Sequence, residues 1–202
     1  MTQNIIGYTL NANTLGCTVG CRMHRERQPA FGDMIKILLQ DEHIIYGIIA
    51  NIQVLDDGLV RQLATTEPIQ EEVIRDNREN RTVPLEFSIL FLGFKEKDKI
   101  FHLLPPNPPL SLETVYLCSD QEMITFSHAG NAGYIRYMIA EKDILNFELI
   151  TIHFRNIYTH LAENEREAWL EKTTRTLVHL YRNDYETLCR LLQVLSETNI
   201  FA

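Results

Sequence analysis

Cys17 and Cys21 stand in a Cys-x-x-x-Cys spacing with His24 three residues further on, and thiolates with an imidazole are donors that zinc takes. Residues four apart on a strand share a face, so both sulfurs can point to one ion. Zinc sites use tighter cysteine pairs and four ligands, and no fourth donor lies nearby. The two small side chains therefore read as filling for a strand-borne interior, and no metal is expected. Cys118 and Cys189 stand alone on apolar stretches and read as core. The seven histidines, at 24, 43, 102, 128, 153, 160 and 179, contain no metalloprotease pattern, and no serine sits in a Gly-x-Ser-x-Gly elbow. Ser127-His128 lies beside Gly130-Asn131-Ala132-Gly133, where a nucleophile, a base and a nest of backbone N–H groups can converge only if adjacent side chains turn toward each other. A polar linker accounts for the same composition without chemistry. Glu163, Glu165, Glu167 and Glu171 gather around a helix start, where carboxylates favour the macrodipole. Trp169 and Tyr181 read as anchors between helices. None of the nine glycines precedes a lysine, so the end of a phosphate-binding loop is missing and neither ATP hydrolysis by that route nor a cofactor is expected.

One cluster of cations remains. Arg22, Arg25 and Arg27 surround His24 and can present a small positive loop to nucleic acid. Glu26 interrupts it and no aromatic residue is present to stack a base, so a solvated loop is the simpler reading. With 19 basic and 27 acidic residues the chain carries −8, which excludes broad, sequence-independent binding to phosphate backbones.

The elements that must position these residues change character along the chain. Ile5 to Leu10 and Leu15 to Met23 flank a turn-forming Asn11-Ala12-Asn13-Thr14 and read as a hairpin. Phe31-Gly32-Asp33 punctuates the chain before a second hairpin, Met34 to Leu39 and Ile44 to Ile52, in which Gly47 marks a bulge or bend that lets a small sheet curl. Asp56-Asp57-Gly58 is a turn, and Leu59 to Ala64 a helical turn or edge segment. Glu71 to Arg81, with mixed charges, reads as a surface connector. Val83 to Phe94 is the strongest strand signal, with Phe87, Ile89 and Phe91 on one face; Ile100 to Leu104 pairs back. Pro105-Pro106-Asn107-Pro108-Pro109 follows as a stiff extended segment that aims Glu113 to Leu117. From about Ser119 the period becomes helical: Tyr134 to Ala140, Asp143 to His160, Asn164 to Tyr181, and a last helix from about Asn183 whose Leu188, Leu191, Leu192 and Leu195 fall at i, i+3, i+4 and i+7.

At 202 residues the chain supplies a workable core without disulfides or metals. Its 45% hydrophobic and 23% charged content is that of a globular protein. No apolar run approaches the ~20 residues of a bilayer span, and the N-terminus lacks the basic-then-apolar order of a signal peptide. The expectation is a cytoplasmic protein without membrane insertion whose cysteines are reduced.

The order of signals in the first half resembles a known family. Gly7 after two isoleucines, Leu15-Gly16-Cys17-Thr18-Val19, Phe31 to Ile37, Tyr46-Gly47-Ile48-Ile49 and Asp56 to Leu63 together resemble the HAS barrel, and the likeness continues through Pro105 to Pro109 and the strand beyond, over about residues 3–118. HAS barrels stand at the N-terminus of HerA-type DNA translocases and of the catalytic subunits of rotary ATP synthases, where neighbouring barrels pack into a ring and a separate P-loop domain does the chemistry. No Gly-Lys pair of a P-loop occurs in these 202 residues, so the expectation is a short form without that domain, and the helical remainder resembles the tail of short bacterial proteins that pair this barrel with a few helices.

The expected architecture is α+β: a small closed antiparallel β-barrel at 1–118, a linker at 119–130 and a helical domain at 131–202. The expected function is a non-enzymatic scaffold, oligomerisation or assembly module, accessory to a DNA-processing or ATPase machine. A nucleic-acid accessory using Arg22, Arg25 and Arg27 is the alternative, and an enzyme of unrecognised type is the third class. A homo-oligomer is expected, a dimer built through the Leu188, Leu191, Leu192, Leu195 stripe, with a barrel ring as its alternative.

Overall fold

The computed structural model describes residues 4–22, 29–39, 43–55, 84–139 and 144–198, with positions 58, 61, 65, 71, 72 and 75. The strands are β1 (Ile5–Ala12), β2 (Gly16–Arg22), β3 (Met34–Leu38), β4 (His43–Val54), β5 (Pro84–Glu96), β6 (Lys99–Phe101) and β7 (Thr114–Leu117). Every pairing is antiparallel. The order is β2-β1-β7-β3-β4-β5-β6, and β2 also pairs with β5. Six strands therefore close into a barrel, with β6 outside the ring as an extension of β5.

Both expected hairpins form. In the first, Asn13 Oδ1 accepts from the N–H groups of Leu15 and Gly16, at 2.7 and 3.1 Å, which folds the chain back from β1 into β2. In the second, β3 and β4 run in register from Met34↔Ile48 to Leu38↔Ile44. Gly32 enters this hairpin at φ +86°, a conformation that a side chain resists, and a Cβ there would lie 2.5 Å from Ile152 Cγ2. The bulge expected at Gly47 is present as a register shift between Tyr46 and Gly47 against β5; a second shift lies between Ile49 and Asn51. The second shift turns Ile52 back toward the barrel interior while Asn51 faces water.

Alternation along the strands divides the apolar side chains between two cores. Ile6, Val19, Ile35, Ile37, Ile45, Ile49, Phe87, Ile89, Phe91 and Val115 point inward and fill the barrel. Met34, Tyr46, Ile48 and Leu92 point outward from β3, β4 and β5 into a second core shared with the helices. That double coverage explains why five consecutive residues of β4, Ile45 to Ile49, are all buried.

The helices are α1 (Asp120–His128), α2 (Ile135–Met138), α3 (Ile144–His160), α4 (Glu163–Leu180) and α5 (Tyr185–Ser196). The stretch expected as a linker is a correction, because 120–128 is α1. Ser119 caps it through a reciprocal pair with Glu122, and Met123 and Phe126 sit in the shared core. Glu122 also holds Lys36 of β3, so α1 is tied to the barrel at its first turn. Phe126 packs on Tyr46 of β4 with ring centroids 4.9 Å apart. No polar spacer separates the barrel from the helices at this junction.

The last helix starts as expected, with Asp184 capping Thr187 N–H at 3.2 Å. Its leucine stripe is a second correction. Leu188, Leu191 and Leu195 are buried within this one chain and Leu192 is half-buried, because α5 packs its stripe on α3. The face assigned to a second copy is already covered. No helix among the described residues is long and apolar enough to cross a membrane. Most of Glu71 to Arg81, and most of Leu59 to Ala64, lie outside the described residues; just beyond the latter, Thr65 N–H donates to the Arg61 carbonyl at 3.1 Å, one helical turn.

Candidate functional site

Among the described residues, the cysteines, serine and histidines singled out by their spacing are not brought together. Cys17 and Cys21 both face the barrel interior, and burial pushes the Cys17 thiol up to about 12 and raises Cys21 as well. Such thiols stay protonated at neutral pH in the metal-free chain. All four cysteines are free, and no cluster of three or more metal-donor side chains occurs among the described residues. His24 lies outside them. Cys189, expected in the core, is exposed, and Cys118 is only half-buried.

Ser127 and His128 do not form a dyad. Ser127 Oγ donates to the Ile124 carbonyl at 2.9 Å, and His128 Nδ1 lies 2.9 Å from the same oxygen. Each side chain folds back on the turn of helix beneath it. Glu163 and Glu165 occupy the first turn of α4, and Glu171 pairs with Arg175 one turn on at 2.5 Å, which are structural uses. Trp169 is fully buried with its ring 5.1 Å from Phe154, as an anchor between helices should be. Arg22 ends β2, pairing with Pro84 through the backbone. Its side chain, and all of Arg25 and Arg27, lie outside the described residues.

Two groupings emerge that spacing did not reveal. A cavity of about 200 Å³ between the barrel and helices α1 and α3 is lined by Asp33, Cys118, Asp120, Asn156 and His160. His160 Nε2 lies 3.7 Å from Asp120 Oδ1, and its Nδ1 lies 2.7 Å from the Asn156 carbonyl. The thiol beside them is held protonated, by burial first and then by the Glu122 carboxylate, against a smaller opposing effect of Lys36. An acid, an imidazole and a thiol meet there without an activated nucleophile.

The second grouping is aromatic. His153 and Tyr134 are both fully buried, and His153 Nε2 lies 3.1 Å from Tyr134 Oη, while His153 Nδ1 has no partner. Burial lowers the His153 pKa to about 3, which keeps the ring neutral. His102 continues the cluster from the barrel side, edge-on to Tyr134 and 3.0 Å from the Phe126 carbonyl through Nε2. Arg136 closes it by donating to the His102 carbonyl at 2.5 Å. These groups weld the helices to the barrel.

The barrel surface turned away from the helices has a different character. Tyr8 and Leu10 of β1 are 49% and 43% exposed, and Leu110 and Leu112, in the segment after the prolines, are 74% and 75% exposed. That segment is clamped alongside β1. Thr9 Oγ1 donates to the Leu110 carbonyl at 2.5 Å, Ser111 Oγ to the Leu10 carbonyl at 3.0 Å, and Leu112 N–H to the Thr9 carbonyl at 2.8 Å. Leu112 holds φ +70°, which a branched side chain adopts only under constraint, at about 1–3 kcal/mol. Ile5, 53% exposed, extends the apolar strip along β1. The sequence signal for this wall is an absence of charge: residues 1–21 and 103–112 contain no Asp, Glu, Lys or Arg. Scans for catalytic types pass over such a signal.

Neither protein-family models nor curated proteins give a match to this chain.

Proposed function

We propose that this chain is a non-enzymatic assembly module, in which a solid barrel braced by helices presents one uncharged apolar wall to a protein partner. The observation that carries the reading is the Tyr8, Leu10, Leu110, Leu112 wall. Tyr8 and Leu10 project into water from β1 and Leu110 and Leu112 from the segment after the prolines, and Leu112 sits in a costly backbone conformation. Exposed apolar clusters of this kind mark interaction surfaces. The filled barrel interior and the self-satisfied Ser127 and His128 favour binding over catalysis. The HAS-type resemblance suggests that the larger machine is a DNA-processing or ATPase assembly.

Affinity capture with the full chain and with a Leu110→Asp, Leu112→Gly double variant tests the reading. The expected result is protein recovered in stoichiometric amount by the native chain, either another protein or further copies of itself, and lost with the double variant. Equal recovery by both chains would refute it.

A further inference from the structure

We infer that a cavity of about 420 Å³ between the barrel and helices α2 and α3 binds a neutral saccharide. The inference does not depend on the assembly reading. The register of the sheet builds one side of this cavity. Asn11 of β1 stands opposite Thr18 of β2, and Thr18 stands opposite Ser88 of β5, so the three side chains form a row across the outer face of the barrel. Neighbours in such a row are about 5 Å apart. A bulge puts Asn11 in it. The register slips between Thr9 and Asn11, and without the extra residue Asn11 would oppose Cys17 and point into the barrel. The bulge in β4 adds Ala50, which lines the cavity with only a methyl group. Tyr137 of α2 and Asn146 of α3 line its helical side, and Leu90, Leu104 and Leu149 supply apolar surface.

The polar groups keep their hydrogen-bonding capacity. Among the described residues, Asn11, Thr18, Ser88 and Asn146 make no side-chain hydrogen bond. Asn13, also on the cavity, gives its carbonyl oxygen to the turn and keeps both amide hydrogens. Tyr137 Oη accepts from Arg136 at 2.7 Å and keeps its own hydrogen. Each free amide offers one acceptor and two donors, and each free hydroxyl does both. A few placed polar groups on an apolar surface, in a volume of this size, are what encloses a small ligand. None of the described residues lining the cavity is charged, so a phosphate or a carboxylate would meet no cation there. A peptide is the poorer fit, because it is held through its backbone on a strand edge, and β2 and β5 are each paired on both sides. Sugar hydroxyls donate and accept as these side chains do, and the C–H faces of the ring match the leucines and Tyr137.

Proton–nitrogen correlation NMR on the full chain tests the inference, because the side-chain amides of Asn11, Asn13 and Asn146 report on the cavity directly. The probes are maltose, cellobiose, lactose and N,N′-diacetylchitobiose, with glucose 6-phosphate and glucuronic acid as charged counterparts, each titrated to about 20 mM. The expected result is that at least one neutral disaccharide binds with a Kd of about 1 mM and shifts those amide signals, while both charged sugars bind at least about 10-fold more weakly. Ser88 is exposed on β5, so Ser88→Phe sets a ring over the cavity and should raise the Kd about 20-fold or more. Asn146→Ala should raise it about 3–10-fold through the lost hydrogen bonds. Both variants should keep the fluorescence of the single tryptophan, Trp169, which separates lost binding from lost fold. Should Ser88→Phe fail to fold, Asn146→Ala decides alone. Absence of binding by all four disaccharides, equal binding of the charged sugars, shifts that leave the three amides untouched, or a Kd that the folded variants do not change would each overturn the inference.

Discussion

Acid should loosen this fold through one side chain. His153 is fully buried with its pKa lowered to about 3 by desolvation, from 6.5 in an exposed imidazole. Above pH 6.5 neither the folded nor the unfolded chain protonates it. Below 6.5 the unfolded chain takes up a proton that the folded chain refuses until about pH 3, so stability falls steadily across that window. Between pH 7 and pH 5 the loss from this residue alone is about 2 kcal/mol, at 1.36 kcal/mol for each pH unit below the unfolded value. Urea unfolding reports it directly, because the single tryptophan, Trp169, is buried against Phe154 in the same helical core. His153→Phe keeps the ring and removes the titration. It also strands the Tyr134 hydroxyl at a cost of about 1–3 kcal/mol, so the readout is the change in stability between the two pH values and not the stability at either. The variant should lose about 2 kcal/mol less than the native chain on going from pH 7 to 5. Equal losses would refute the reasoning and imply that the imidazole reaches water in the folded state.

Glu122→Gln should destabilise the chain by about 1–2 kcal/mol at pH 7, since it weakens both the cap on α1 and the tie to Lys36. Burial raises the Glu122 pKa, but hydrogen bonds from Lys36 and Ser119 outweigh it and leave the pKa lowered, so the difference from the native chain should shrink as acid protonates the carboxylate; urea midpoints over a descending pH series check this. Leu191→Ala should cost about 2–5 kcal/mol in unfolding free energy without altering the sedimentation of the chain that remains folded, because Leu191 is fully buried inside one copy. Ellman's reagent should react first with the exposed Cys189, more slowly with the half-buried Cys21 and Cys118, and with the buried Cys17 only on unfolding.

The strands were legible because their alternation is strong. Phe87, Ile89 and Phe91 announced β5, and the Gly47 bulge followed from a glycine inside a β-branched run. The linker expected at 119–130 failed for a physical reason. Asp120, Gln121 and Glu122 are polar because they form the first turn of a helix, and Ser119-x-x-Glu122 is the spacing of a capping box. With Met123 and Phe126 three apart, the helix was written there as well. The α5 stripe was read correctly as a buried face, but periodicity reveals that a face is covered and not which chain covers it. Cys189 follows Leu188 on the same helix and sits 100° around its axis, so an apolar neighbourhood in sequence did not mean one in space. The candidate site escaped because it is defined by exposure, and exposure of Leu110 and Leu112 depends on how 103–112 is clamped against β1.

The division of β5 between two cores bears on how the gene for this protein can change length. Leu85, Phe87, Ile89 and Phe91 project into the barrel, while Leu90 and Leu92 project into the helical core. Losing or gaining one codon within this strand would exchange the two sets, driving phenylalanines out of the barrel and emptying the helical core in a single step. Neighbouring strands β2 and β4 grip β5 from both sides and could not slide to compensate. Length variation should therefore be barred from 85–92, while the exposed Lys97 turn beyond it is free to grow or shrink.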